Sequence, residues 1–136
     1  MNSRRESREC SLQMLYIFDT CNIPVETVLD SFSHSLPTVR VYRDFAAKLF
    51  RGVCQRREEI DCLIKKYAKN WGLERMAAVD RNIIRLALYE ILATPETPTS
   101  VIIDEAVEIS KKYSTKDSSK FVNGILDKLK TVRDNN

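Results

Sequence analysis

Arg81-Asn82-Ile83-Ile84-Arg85-Leu86-Ala87-Leu88-Tyr89-Glu90-Ile91-Leu92-Ala93 is apolar almost all the way round when wound at helical pitch. A helix of that kind has no solvent face of its own and normally sits at the centre, with others laid against it. It opens at Asp80 or its neighbour, and Pro95 and Pro98 close it. Glu90 is a carboxylate inside that apolar run and is expected to pair with Arg85 or Arg81. Gly72, after Trp71, separates the segment from what precedes it. Trp71, Tyr67 and Tyr89 read as packing residues.

Upstream, residues 39–68 carry one long amphipathic pattern: Val41, Phe45, Leu49, Val53, Ile60, Ile64 and Tyr67 stay within a broad stripe. Arg40, Arg43, Lys48, Arg51 and Arg56 fall mostly on the other side, as a solvated face would have it. The stretch 33–38, with Pro37, reads as a connector. Before it, Pro24 starts a short helix through Val25, Val28, Leu29 and Phe32. The first helix opens on the capping box Ser3-x-x-Glu6 and runs to about Thr20. Leu12, Leu15, Tyr16 and Asp19 share one of its faces.

Downstream, residues 100–113 form a helix with Ile102, Ala106, Ile109 and Tyr113 on one face, and Glu108 and Lys112 as an i,i+4 pair on the other. Ser114 and Thr115 offer caps for a last helix over about 117–132, with Val122, Ile125, Leu126, Leu129 and Val132 as its core stripe. No segment alternates with the period of a strand. The fold class is all-α, with about six or seven helices.

The composition agrees. With 136 residues, 43% hydrophobic and 30% charged, the chain can bury a core and remain soluble. Three glycines and four prolines leave little room for long loops or a glycine-rich phosphate cradle. The net charge of +3 suggests a local basic patch more than a uniformly cationic surface. Cys10, Cys21, Cys54 and Cys62 make no C-x-x-C pair, and His34 is the one histidine, so no metal site is expected. Free thiols point to a reduced, cytoplasmic setting. The N-terminus has no apolar signal region, and no apolar run reaches the roughly 18 residues of a membrane span. No nucleophile, Walker or H-E-x-x-H motif appears, so neither an enzyme nor a cofactor is expected.

Two places suggest nucleic acid. Arg4, Arg5 and Arg8 lie within about 100° of arc at the start of the first helix. Cations there oppose the helix dipole by roughly 0.3–1 kcal/mol, a cost that stability alone would avoid. Backbone N–H groups and guanidinium forks converge there on an anion, although an ordinary solvated helix end would look the same. On the last helix Phe121 is offset by roughly 75° from the core stripe. Asp117 and Lys128 lie near its azimuth and Lys120 further round. An edge aromatic beside lysines supplies a π-face for a base and cations for phosphates; a half-buried core phenylalanine is the plainer alternative.

Four segments, in order and spacing, resemble the NusB family of transcription antitermination factors. They are Arg4 to Tyr16 (RRESRECSLQMLY), Val79 to Glu90 (VDRNIIRLALYE), Pro98 onward through Ile102 to Ile109 (IIDEAVEI), and Asp117 to Asp127 (DSSKFVNGILD). Together they cover nearly the whole chain. The resemblance implies one RNA-binding domain over 1–136, built as two packed small helical bundles, about 1–70 and 71–136. It implies binding to single-stranded boxA RNA in nascent, mainly ribosomal, transcripts with NusE, a small-subunit ribosomal protein, and joining RNA polymerase with NusA and NusG. The alternative is an adaptor that docks NusE and has only incidental RNA affinity. A monomer and a homodimer that hides its RNA surface both remain open for the free state.

Carried over by position, Arg4, Arg5 and Arg8 belong to the family's arginine-rich RNA-binding segment, and Gln13 lies one turn further along that helix. Asp117, Lys120 and Phe121 match its RNA-contacting region at the start of the last helix. Tyr16 and Asp80 match positions on the NusE-facing side, with Glu74 near the RNA–protein junction. Glu6 interrupts the arginine run, and Ser7 and Ser11 stand where alanine is common, which lowers the local positive charge. NusB-like domains also occur fused to RNA methyltransferases, and a chain of this length leaves no room for that catalytic domain.

Overall fold

The computed structural model describes residues 3–70 and 72–134. Among them are seven α-helices and no strand: α1 (Arg4–Cys21), α2 (Val25–Ser31), α3 (Arg40–Gln55), α4 (Arg57–Tyr67), α5 (Ala78–Ala93), α6 (Thr99–Tyr113) and α7 (Lys116–Leu129). Two short 3₁₀ turns, Leu73–Arg75 and Lys130–Val132, complete the order. Trp71, expected to pack, lies outside the described residues.

α5 is the central helix. Every residue from Asn82 to Ile91 is buried, and α1, α3, α4, α6 and α7 all pack against it. Ile84 and Leu88 are fully buried, and truncating either to alanine would cost about 2–5 kcal/mol. The helix starts at Ala78, earlier than its apolar pattern, because alanine extends it with little entropic cost. Asp80 then falls in the first turn, where a carboxylate suits the positive end of the dipole.

The long pattern over 39–68 is two helices, not one. The break falls at Arg56, whose φ of −106° and ψ of 17° leave the helical region, with neither Gly nor Pro to announce it. The cause is tertiary: α3 packs on α1 and α5, whereas α4 turns to pack on α5 and α7. The apolar stripe is continuous in sequence but serves two different surfaces. Gly52 allows the close crossing of α3 over α5, since a Cβ there would collide with the Tyr89 ring.

α1 ends at Asn22 in the left-handed region, φ 54°, which asparagine tolerates. Past α7, Arg133 clasps the C-terminal end of α5. Its guanidinium donates to the carbonyls of Ile91 (3.0 Å), Thr94 (3.1 Å) and Thr97 (2.7 Å), supplying a cation to the negative end of that helix.

Candidate nucleic-acid interface

Ser3 caps α1 by accepting the Glu6 N–H at 3.1 Å, so the capping-box reading locates the helix start. Of the three arginines that follow, Arg4 and Arg5 are exposed and Arg8 is not. The Arg4 guanidinium lies over the Phe45 ring, 4.7 Å from its centroid, which fixes its direction without using its donors. Arg5 donates from Nε (3.0 Å) and Nη2 (2.6 Å) to the two oxygens of Glu105 on α6. The hydrogen bond from Arg5 holds the Glu105 carboxyl below its usual range against the opposing effect of burial, and Glu105 raises Arg5 in turn.

Arg8 corrects the expected pairing of Glu90. Its side chain is 7% exposed and grips Glu90 bidentately, Nε to Oε2 at 2.8 Å and Nη2 to Oε1 at 2.9 Å. Glu90 therefore pairs with Arg8, not with Arg85 or Arg81. Arg8 shares the arc of Arg4, but one turn further along α1 that arc is covered by α5 and α6. In this structure Glu90 fills the Arg8 fork, which ties α1 to α5.

Along the rest of this face α1 is stitched to α6. Lys112 Nζ donates to Glu9 Oε1 at 2.7 Å, Tyr113 donates its hydroxyl to the same oxygen at 3.1 Å, and Gln13 Nε2 donates to the Tyr113 hydroxyl at 3.0 Å. The expected Glu108–Lys112 pair does not form. Glu108 meets Lys111 at 3.3 Å instead, because Glu9 offers Lys112 a nearer carboxylate. Gln13 is exposed on this seam. On the opposite side of α1, Ser7 and Ser11 are fully buried and donate to the carbonyls of Tyr42 (2.8 Å) and Ala46 (2.7 Å) on α3. Both serines thus pin the helix–helix crossing, a role that their contrast with alanine did not suggest.

α6 also packs on α7, which brings the second candidate patch alongside. Thr115 caps α7 by accepting the Ser118 N–H at 3.0 Å. Asp117, Lys120 and Lys128 are exposed, and Phe121 is half-buried, packed against the core by one side.

The residues matched to the partner side separate. Tyr16 is 40% exposed and lines an apolar cleft of about 320 Å³ with Leu12, Ile17, Phe32, Val79 and Tyr113. Glu74 is exposed in the first 3₁₀ turn, beside a second, charged depression that includes Asp19, Arg57, Lys65 and Arg81. Asp80, expected as a contact, is only 6% exposed, and its Oδ1 has no hydrogen-bond partner. It sits in the first turn of α5, from which Val79 projects into the cleft.

Asp19, near the other end of α1, anchors a cluster the sequence did not disclose. It accepts from Arg57 (3.0 Å), Arg81 (2.7 Å) and Asn82 (3.0 Å), with Arg85 at 3.2 Å. Arg85 also forks onto Asp61 at 2.8 and 3.1 Å. Burial pushes the Asp19 carboxyl up, but the hydrogen bonds from Arg81 and Asn82 and the charges of Arg85 and Arg81 outweigh it and leave it lowered. Among the described residues no cluster of ligand side chains suits a metal ion, and no helix is long and apolar enough to cross a membrane. Burial pushes the Cys10 and Cys54 thiols up to about 11, which keeps both in the unreactive form.

Comparisons with known proteins fit this geometry. The model of the NusB family matches residues 5–131. A transcription antitermination protein NusB from Trichlorobacter lovleyi is 47% identical over 129 residues, 95% of this chain and 91% of that one. The solved T. maritima NusB superposes with a TM-score of 0.86 at 36% identity, covering 96% of this chain and 93% of the other. A crystal structure of antitermination factors NusB and NusE in complex with dsRNA contains a chain with a TM-score of 0.87 at 24% identity, over 95% and 96% of the two chains. At that identity the last likeness is one of fold.

Proposed function

The chain belongs to the NusB family, and we propose that it is a transcription antitermination factor that grips the boxA element of nascent ribosomal RNA together with NusE. It works in the cytoplasm by joining the RNA polymerase elongation complex with NusA and NusG, and it catalyses no reaction. The observation that carries the RNA reading is the open end of α1: Arg4 and Arg5 project from a capped helix start whose next arginine is locked. That end costs stability through the dipole, and the contacts of Arg4 with Phe45 and of Arg5 with Glu105 leave both guanidinium groups exposed.

Arg4 and Arg5 contact phosphates, while Arg8 positions the helix that carries them. Gln13 extends the track along the α1–α6 seam. Lys120 adds a cation, Phe121 a face on which a base stacks, and Asp117 an acceptor for a base amino group. Tyr16 and Glu74 face the protein partner, and Asp80 fixes the turn of α5 behind Val79.

The adaptor reading has its own support in the apolar cleft at Tyr16, which suits a protein side chain better than RNA. Fluorescence anisotropy with labelled boxA RNA and a scrambled control, with and without NusE, separates the two. Preference for boxA that tightens with NusE supports the RNA factor. Equal, weak binding to both RNAs alongside intact NusE binding would leave the adaptor.

A further inference from the structure

Two arginines of α1 hold carboxylates in the same bidentate geometry but in different surroundings. Arg8 and Glu90 are 7% and 2% exposed, so that pair is locked. Arg5 and Glu105 are 49% and 20% exposed, so water and other anions reach it. Glu105 occupies the Nε/Nη2 edge of Arg5, which is the edge a phosphate would take bidentately. Glu105 also has a second cation waiting: its Oε1 lies 3.7 Å from Nη1 of Arg8. If Arg5 swings away, the carboxylate keeps a partner and no buried charge is stranded. Exposed pairs of this kind contribute little, so exchanging the carboxylate for a phosphate is cheap.

We propose that Glu105 is a specificity-setting residue: in the free protein it fills the anion-binding edge of Arg5, and an RNA phosphate displaces it on binding. This rests on the RNA reading above. With Glu90 and Glu105 set against Arg4, Arg5 and Arg8, an approaching polyanion meets little net positive charge at the helix end. Generic polyanions are therefore held weakly, and stable binding depends on base contacts such as the Phe121 face and on the protein partner. The displaced carboxylate also reduces the net release of counterions, so the salt dependence is shallower than the count of arginines implies.

The test is a salt series of boxA anisotropy titrations on the full chain with NusE present. It compares wild type, Glu105→Gln, Arg5→Ala, the double variant and Glu108→Gln, with thermal melts as a folding check. Glu105→Gln should bind about two- to fivefold more tightly, with a log–log salt slope steeper by up to about 0.7. That gain should vanish in the Arg5→Ala background. Glu108→Gln changes the charge equally on the same helix and should gain less. Unchanged or weaker binding by Glu105→Gln overturns the proposal, as does a gain that persists without Arg5 or is matched by Glu108→Gln. If wild type does not prefer boxA to a scrambled RNA titrated alongside, the RNA reading itself fails, and that outcome is read from wild type alone.

Discussion

The first two turns of α1 carry Arg4, Arg5 and Arg8, and its last turn carries Asp19. Each has the sign that the helix dipole disfavours, by about 0.3–1 kcal/mol at an exposed end. The two ends answer that cost differently. Asp19 is closed in by Arg57, Arg81, Arg85 and Asn82, so the cluster ties α1 to α4 and α5 and both carboxylate oxygens accept from within the fold. At the other end only Arg8 is closed in, by Glu90, while Arg4 rests on Phe45 and the exposed Arg5 on a half-buried carboxylate. Charges placed against the dipole are structural where every partner is supplied from within, and point to a ligand where they are held in shape but left reachable. Charge pattern alone does not separate these cases; burial of the partners does.

The comparison breaks first at the locked pair. Glu90→Ala should leave the buried Arg8 guanidinium with only the more distant Glu105, at 3.7 Å, as counter-charge and cost about 3 kcal/mol in chemical denaturation. A loss below about 1 kcal/mol would mean that Arg8 is free to turn outward. Arg8→Ala should likewise lower stability, so any loss of RNA binding in that variant must be read beside its melting curve.

At the closed end, Asp19→Ala should cost about 3 kcal/mol, toward the lower limit because Asp61 still holds Arg85. The Asp19 carboxyl is depressed in the fold. Its stabilisation is therefore complete above the ordinary value of about 3.9 and is lost as pH falls through the lower, folded value. Asp19→Asn should flatten the acid limb of stability against pH, and an unaltered limb would remove Asp19 from the account.

Phe121→Leu keeps an apolar contact with the core and removes the π-face. It should weaken boxA binding by about 1–3 kcal/mol in anisotropy titrations. Retention of wild-type affinity would make Phe121 a packing residue only. The smallest effect belongs to Arg4→Ala, which should weaken boxA and scrambled RNA alike and reduce the salt slope by about 0.7. A loss confined to boxA would instead give Arg4 a base contact.

What could be read in advance follows from where the physics is local. The helix start at Ser3, the cap at Thr115 and the central place of residues 81–93 were legible, because hydrogen-bond caps and an all-round apolar surface need no knowledge of neighbours. The break at Arg56 was not, since both helices have good helical sequence and only their separate packing surfaces part them. Glu90 was legible as a carboxylate needing a cation, but its partner lies 82 positions away and periodicity cannot choose among arginines. The same limit hid the Asp19 cluster and moved Lys112 from Glu108 to Glu9. At the candidate site, Arg4, Arg5 and Lys120 were legible as exposed cations and Phe121 as an edge aromatic. The carboxylate that covers Arg5 was not, because it arrives from α6.

Hydrogen–deuterium exchange with and without boxA RNA, in the presence of NusE, tests the contrast between the two ends of α1 most directly. RNA-dependent protection is expected at residues 4–9 and 117–121, with the amides around Asp19, Arg57 and Arg81 unchanged by RNA. Protection centred on the Asp19 cluster, with residues 4–9 indifferent to RNA, would contradict that expectation.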